Sequence, residues 1–270
     1  CNNVHQFHLI RRTAPHFTAC LVPEEAALDS YRRVGAHEIF FPMAANPDVY
    51  LPLALPPRYD ATFAGQRYGD RTTGLLSLRE GGVDAHAFGH GWAAETQGPV
   101  AAPTSRLRRS LELLVRGRNP FTAAADLRAI EMLRTRHAAA LHPPATDDAY
   151  IALFSESRIS LGFLILGDTH RTFRPLRQVR LREFEAPMAG AFYVTGFLEE
   201  LSLHYEIGRE IVCYRSREEL VDRCRYFLAH DEERERIRKA GHERARRDHT
   251  WTRRFTDLFA ELRSRGVLSR

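Results

Sequence analysis

The stretch YDATFAGQRYGDRTTGLLSLREGGVDAHAFG, residues 59–89, decides the fold class. YDATFA is a short, mostly apolar run that ends at Gly65. DRTTGLLSLRE carries apolar residues at helical spacing and closes on Gly81 and Gly82. VDAHAF then reads as a second strand before Gly89. Strand, helix and strand at this spacing make a parallel βαβ unit.

The alternation continues downstream. A helical block covers about 105–141, is broken at Asn119-Pro120, and is basic at Arg106, Arg108 and Arg109. DDAYIALFSES is a short helix, and ISLGFLIL is an apolar strand just after Ser157 and Arg158. VRLREFEAPMAGAFYVT (179–195) begins as a helix and ends as the strand AFYVT; Pro187 suits only a short or late-starting helix. EIVCYR is a last strand. Ser216 and Glu219 form a capping box on the helix that follows, and helices run to the C-terminus. We therefore expect an α/β fold with a doubly wound parallel sheet and helices on both faces.

Upstream, FTACLV and HEIFFPMA read as strands flanking a helix that begins after Pro23 and ends before Gly35. The Pro-rich NPDVYLPLALPP looks like a linker. Residues 1–57 are thus part of one α/β lobe plus a linker. Residues 58–270 are a second, larger lobe, with 105–141 as a helical insertion.

Composition narrows the classes. With 44% hydrophobic and 27% charged residues over 270 positions, the chain can bury a substantial core. No apolar run reaches membrane-span length, and no signal peptide is visible. The four cysteines, Cys1, Cys20, Cys213 and Cys224, form no CxxC pair or zinc spacing, and a reducing cytoplasm is the expected compartment. The 13 histidines show no ligand spacing. The formal charge of +5 suits an anionic ligand, a nucleic acid or a membrane surface without choosing among them. In the C-terminal helices acids and bases interleave, as on a solvated face, so no nucleic acid is expected; a peripheral membrane contact stays open.

In doubly wound sheets ligands bind at the carboxyl ends of strands. After YDATFA, Gly65 permits a tight exit, and Arg67 and Arg71 lie where the next helix starts. This is either a phosphate site or a plain turn with solvated arginines. Gly89, Gly91 and Ala94 satisfy GxGxxA, but they follow the second strand and Trp92 would crowd a pyrophosphate. His90 reads as a loop histidine. Gly167, Asp168 and His170 at the end of the apolar strand either hold a polar ligand or form a polar loop. No P-loop, nucleophile elbow or HExxH occurs.

YDATFAGQRYGDR, SRISLGF, REFEAPMAGAFYVT and GREIVCYRSREELVDRCRYFLAHDEERERIRKAGHERARRDHTWTRRF follow one another in an order that resembles the CgeB-like (spore maturation protein) group of GT-B glycosyltransferases. YRRVGAHEIFFPMAANPDVYLP looks like that family's crossing between lobes. The resemblance implies two Rossmann-like lobes, the C-terminal one for a nucleotide-sugar donor and the N-terminal one for an acceptor. It implies no cofactor and no metal, only a nucleotide-sugar as donor substrate and a glycan, protein or small-molecule acceptor. Carried over by residue, Glu185 matches the glutamate on the donor ribose, Gly190 the glycine after it, and Arg67 and Arg71 the basic pair on the diphosphate. Arg182, one turn before Glu185, belongs to the same site, on phosphate or paired with Glu185.

Two departures accompany the resemblance. Arg177 stands where retaining relatives place a second glutamate, which leaves Asp168 or His170 to meet the donor sugar as catalytic residues. Most of the N-terminal lobe expected in the family is absent from the chain. The alternative is therefore a non-catalytic nucleotide-sugar-binding or interaction module.

Overall fold

The computed structural model describes residues 3–93, 119–167, 169 and 172–268. The first unit holds α1 (Asn3–Ile10), β1 (Cys20–Val22), α2 (Leu28–Arg33) and β2 (Glu38–Phe40). β1 and β2 pair in parallel, and Ala14, Val22, Ala27, Tyr31 and Ala36 make their small core. Residues 46–58 contain no helix or strand and lead to the second sheet.

That sheet is built from β3 (Tyr59–Ala64), β4 (Ala85–Phe88), β5 (Leu141–His142), β6 (Ser157–Leu161), β7 (Tyr193–Gly196) and β8 (Val212–Tyr214). All neighbours are parallel, in the order β5-β4-β3-β6-β7-β8. The helices are α3 (Arg71–Glu80), α4 (Pro120–Arg136), α5 (Asp147–Glu156), α6 (Arg182–Met188), α7 (Arg217–Ala229), α8 (Asp231–Asp248) and α9 (Trp251–Ser264). Leu75 and Leu78 of α3, Ile130 and Leu133 of α4, and Leu220 and Phe227 of α7 share one core with the sheet. Phe154 of α5, Phe184 and Met188 of α6, and Ala245 of α8 fill a second. Helices therefore cover both faces, as the strand-helix alternation requires.

Three features differ from the sequence reading. The block at 105–141 is not simply an insertion. Its described part, α4, is the crossover into β5 and packs on α3. The two-residue β5 is too short to show a period, so α4 had no visible strand to lead into. The apolar ISLGFLIL run is strand only to Leu161, and Ser157 and Arg158 lie within β6. They stand at its amino end, far from the cleft side. Ser157 bonds to Thr62 at 2.7 Å, and Arg158 lies 4.0 Å from Asp60.

Half of the expected capping box forms: Ser216 Oγ accepts from Glu219 N at 3.1 Å, but the Glu219 carboxylate accepts from Arg215 N, one residue before the cap, at 2.8 Å. Pro187 lies inside the seven-residue α6, in its last turn rather than its first, so it removes one helical hydrogen bond, and the helix ends within two residues of it. α9 leaves the second lobe and packs on the first unit. Phe41 lies between Trp251 and Phe255, and Arg265 donates to Glu38 O at 2.9 Å. Among the described residues no helix is long and apolar enough to cross a membrane.

Candidate functional site

The strand order reverses between β3 and β6, because the chain from β3 winds towards β5 and the chain from β6 winds towards β8. The connections leave in opposite directions, so a crevice opens between the carboxyl ends of these two strands. It is a cavity of about 510 Å³. Gly65, Gln66, Tyr68 and Arg71 line it from the β3 side. Leu166, Gln178 to Arg182 and Glu185 line it from the β6 side, with Met43 from the first unit.

Three guanidiniums converge there. Arg71, at the first position of α3, is 4% exposed; it donates to Gln66 O at 2.5 Å and to Tyr68 Oη at 2.8 Å. Its Cζ stacks 3.6 Å over the Tyr68 ring and 4.8 Å over Phe63. Arg182 reaches across from α6 to Ala64 O and lies 4.9 Å over the other approach to Phe63. Arg180 stands 5.8 Å from the Tyr68 ring. A Cβ on Gly65 would come within 2.9 Å of both Arg182 Nη2 and the Phe63 ring, so one of these side chains would have to shift. Burial, and then the neighbouring Arg182 and Arg180, push the Arg71 pKa down to about 10. The Nε atoms of Arg71, Arg180 and Arg182 are all buried without an acceptor among the described residues. A crowded set of cations with spare donors fits a multiply charged anion rich in acceptor oxygens.

Glu185, 7% exposed, closes the cavity. Tyr50 Oη donates to its Oε1 at 2.5 Å and Tyr150 Oη to its Oε2 at 2.9 Å. Arg182 does not pair with Glu185, which answers the question its position raised. Two residues away, Glu183 is fully buried and accepts from Tyr193 Oη at 2.8 Å, Thr195 Oγ1 at 3.2 Å and Arg180 N at 2.7 Å. Burial outweighs those donors and holds its pKa above the usual carboxylate range. Glu183 is a structural anchor that joins α6 to β7; Glu185 faces the cavity.

The expected residues thus divide. Gly65, Arg71, Arg182 and Glu185 come together. Arg67 does not join them: its Nη1 pairs with Asp126 of α4 at 2.7 Å and its Nε donates to Gly91 O at 3.1 Å. With Trp92 Nε1 donating to Gly65 O at 2.8 Å, these contacts make the GHGW turn a brace between strands rather than a dinucleotide site. Gly190 is also structural. Its φ of +72° ends α6, and a Cβ there would strike Pro52 at 2.9 Å. Asp168 and His170 lie outside the described residues. Arg177 points away from the cavity between β3 and β6: it donates to Phe197 O at 3.1 Å and lines a separate cavity with Glu24, Glu25, Glu199 and Glu200.

Arg180, Tyr50, Tyr68 and Tyr150 escaped the sequence reading. Arg180 alternates with Arg182 in RLRE, which was a usable signal; the tyrosines carried none. Among the described residues no group of three or more His, Cys, Asp or Glu could hold a metal.

Residues 78–260 match the model of the glycosyl transferase-like family. No curated protein matches the chain by sequence. Several solved structures match by fold. Sucrose-phosphate synthase from Thermosynechococcus elongatus aligns over 100% of this chain and 64% of its own, with a TM-score of 0.62 and 12% identity. Anabaena HepE, solved with UDP-glucose, aligns over 96% and 68%, with a TM-score of 0.63 and 11% identity. A glycosyltransferase from Rickettsia africae aligns over 96% and 66%, with a TM-score of 0.59 and 10% identity. The chain therefore spans about two thirds of the length of these proteins. The shared architecture is the GT-B type, with a mostly parallel sheet covered on both faces.

Proposed function

Because the chain belongs to the glycosyl transferase-like family, we propose that the crevice between β3 and β6 is the donor site of a glycosyltransferase that moves a sugar, of hexosyl type, from a nucleoside diphosphate. The observation that carries this reading is the convergence of Arg71, Arg180 and Arg182 beside Glu185 at the switch point. Transfer expels a nucleoside diphosphate, and negative charge grows on the leaving oxygen. Fixed guanidiniums and the start of α3 would meet that charge without reorganising, the task a metal performs in other transferases. The carboxylate of Glu185 has four acceptor sites and uses two on tyrosines, which leaves two for the vicinal hydroxyls of a ribose. The ordered motifs favour the CgeB-like group, and the acceptor would enter from the side of the first unit.

One observation favours a non-catalytic donor-binding module instead. Arg177 stands where a glutamate would meet the donor sugar, and its side chain turns to Phe197 and the acidic cavity.

Thermal unfolding with UDP, GDP, CDP and TDP, and with their sugars, tests both. We expect one nucleotide to stabilise the chain by about 2.7 kcal/mol at a hundredfold excess over Kd. No shift with any of them would refute the donor site. A shift without sugar release or transfer would favour the binding module.

A further inference from the structure

Glu185 is held from two directions. Tyr50 belongs to the segment that joins the two sheets, 135 positions away in the chain, whereas Tyr150 lies on α5. Both rings pack on Phe154, at 6.5 and 5.0 Å between centroids. The segment is itself fastened. Tyr50 N donates to Asn46 O at 2.9 Å, Leu53 N donates to Ser155 Oγ of α5 at 2.9 Å, and Pro52 lies against Gly190. Each hydroxyl takes one carboxylate oxygen, so the carboxylate cannot rotate without breaking both bonds.

This fixes what remains available. Burial is the main cause that raises both phenols, with Glu185 adding to it; at Tyr150 the neighbouring Arg182 opposes the rise, and the phenol is still pushed up to about 12. Both therefore stay protonated and donate. Each Glu185 oxygen keeps one free lone-pair direction, and that direction can only accept. A ligand must bring two donors at the spacing of one carboxylate. We propose that Tyr50 and Tyr150 are positioning residues that lock the Glu185 carboxylate so that it selects nucleotides with a free 2′,3′-diol over deoxy forms. The inference rests on the donor-site reading, and it makes the segment between the sheets part of the selectivity device.

The test compares UDP with 2′-deoxy-UDP, and GDP with 2′-deoxy-GDP, by calorimetry on the full chain and on Tyr50→Phe and Tyr150→Phe. A hydrogen bond to a charged acceptor contributes about 1.5–3 kcal/mol, so the wild type should prefer the ribonucleotide by about tenfold or more. Each phenylalanine variant should lower that ratio by about threefold or more, while diphosphate-dependent binding persists. A purely structural role would weaken both nucleotides equally and leave the ratio unchanged; that result would overturn the proposal. A ratio that rises would show the hydroxyls competing with the ribose and would overturn it too. Equal binding of ribo and deoxy forms by the wild type would remove the ribose contact but leave the diphosphate site. No binding of UDP, GDP or CDP would overturn this inference, and a failure of all four nucleoside diphosphates to stabilise the chain would overturn the donor-site reading as well.

Discussion

Arg71→Met should stabilise the unliganded chain and weaken nucleotide binding. Arg71 is a buried cation beside two others. A base whose pKa is depressed in the fold costs stability at every pH below that value. The cost fades only as pH climbs from about 10 towards the ordinary guanidinium range. At 1.36 kcal/mol per pH unit, that depression costs about 3 kcal/mol at pH 7. Methionine removes the cost but also two opposing terms. The hydrogen bond to Gln66 O contributes about 1 kcal/mol, and stacking on Tyr68 and Phe63 about another 1 kcal/mol. A net gain of about 1 kcal/mol remains, or about 3 °C in Tm for a chain of this size. The same change removes a charge-assisted contact to the diphosphate, so affinity should fall about 10- to 100-fold. Thermal melts with and without UDP or GDP, with calorimetry for Kd, read both effects. A variant that melts several degrees lower without ligand, and keeps the nucleotide shift, would refute the argument on both counts.

Two further outcomes follow from packing and charge. Gly162→Ala would drive its Cβ into Tyr193 Oη and Thr195 Oγ1, the two side-chain donors to buried Glu183, and should cost about 3 kcal/mol or more in urea unfolding; a cost below about 1 kcal/mol would show that Glu183 does not depend on them. Glu200 lies against the first unit and accepts from Glu25 N at 3.2 Å, and burial, with Glu24 and Glu25 nearby, pushes its pKa up to about 7. Its carboxyl stays protonated in the fold after it has ionised in the unfolded chain, so stability should fall as pH rises from about 4.5 to 7. Glu200→Gln keeps the acceptor for Glu25 N and should flatten that slope in melts between pH 5 and 8; an unchanged slope would assign the pH dependence elsewhere.

Legibility followed the range of the interaction. β3, β4, β7 and β8 were readable because each has local punctuation in glycine or helix caps, whereas two-residue β5 had none and left α4 looking like an insertion. Arg67 and Arg71 sit four positions apart on one turn and look equivalent in the sequence. Asp126, 59 positions from Arg67, separates them, because it draws one guanidinium onto α4 and leaves the other in the crevice. Arg177 likewise read as a substitution at a donor-sugar position, and its hydrogen bond to Phe197 O turns it elsewhere.

The sequence by itself determined the alternation of strands and helices. It also determined that Arg182 and Glu185 fall in a helical stretch that hands over to the strand AFYVT, since period, caps and glycines are local properties of the chain. Only the tertiary structure decided which charges gather in the crevice. It paired Arg67, crowded Arg71, Arg180 and Arg182 around Tyr68 and Phe63, and brought Tyr50 and Tyr150 onto Glu185. Burial and partner choice set the energy of an ionised side chain, and both depend on residues far away in sequence.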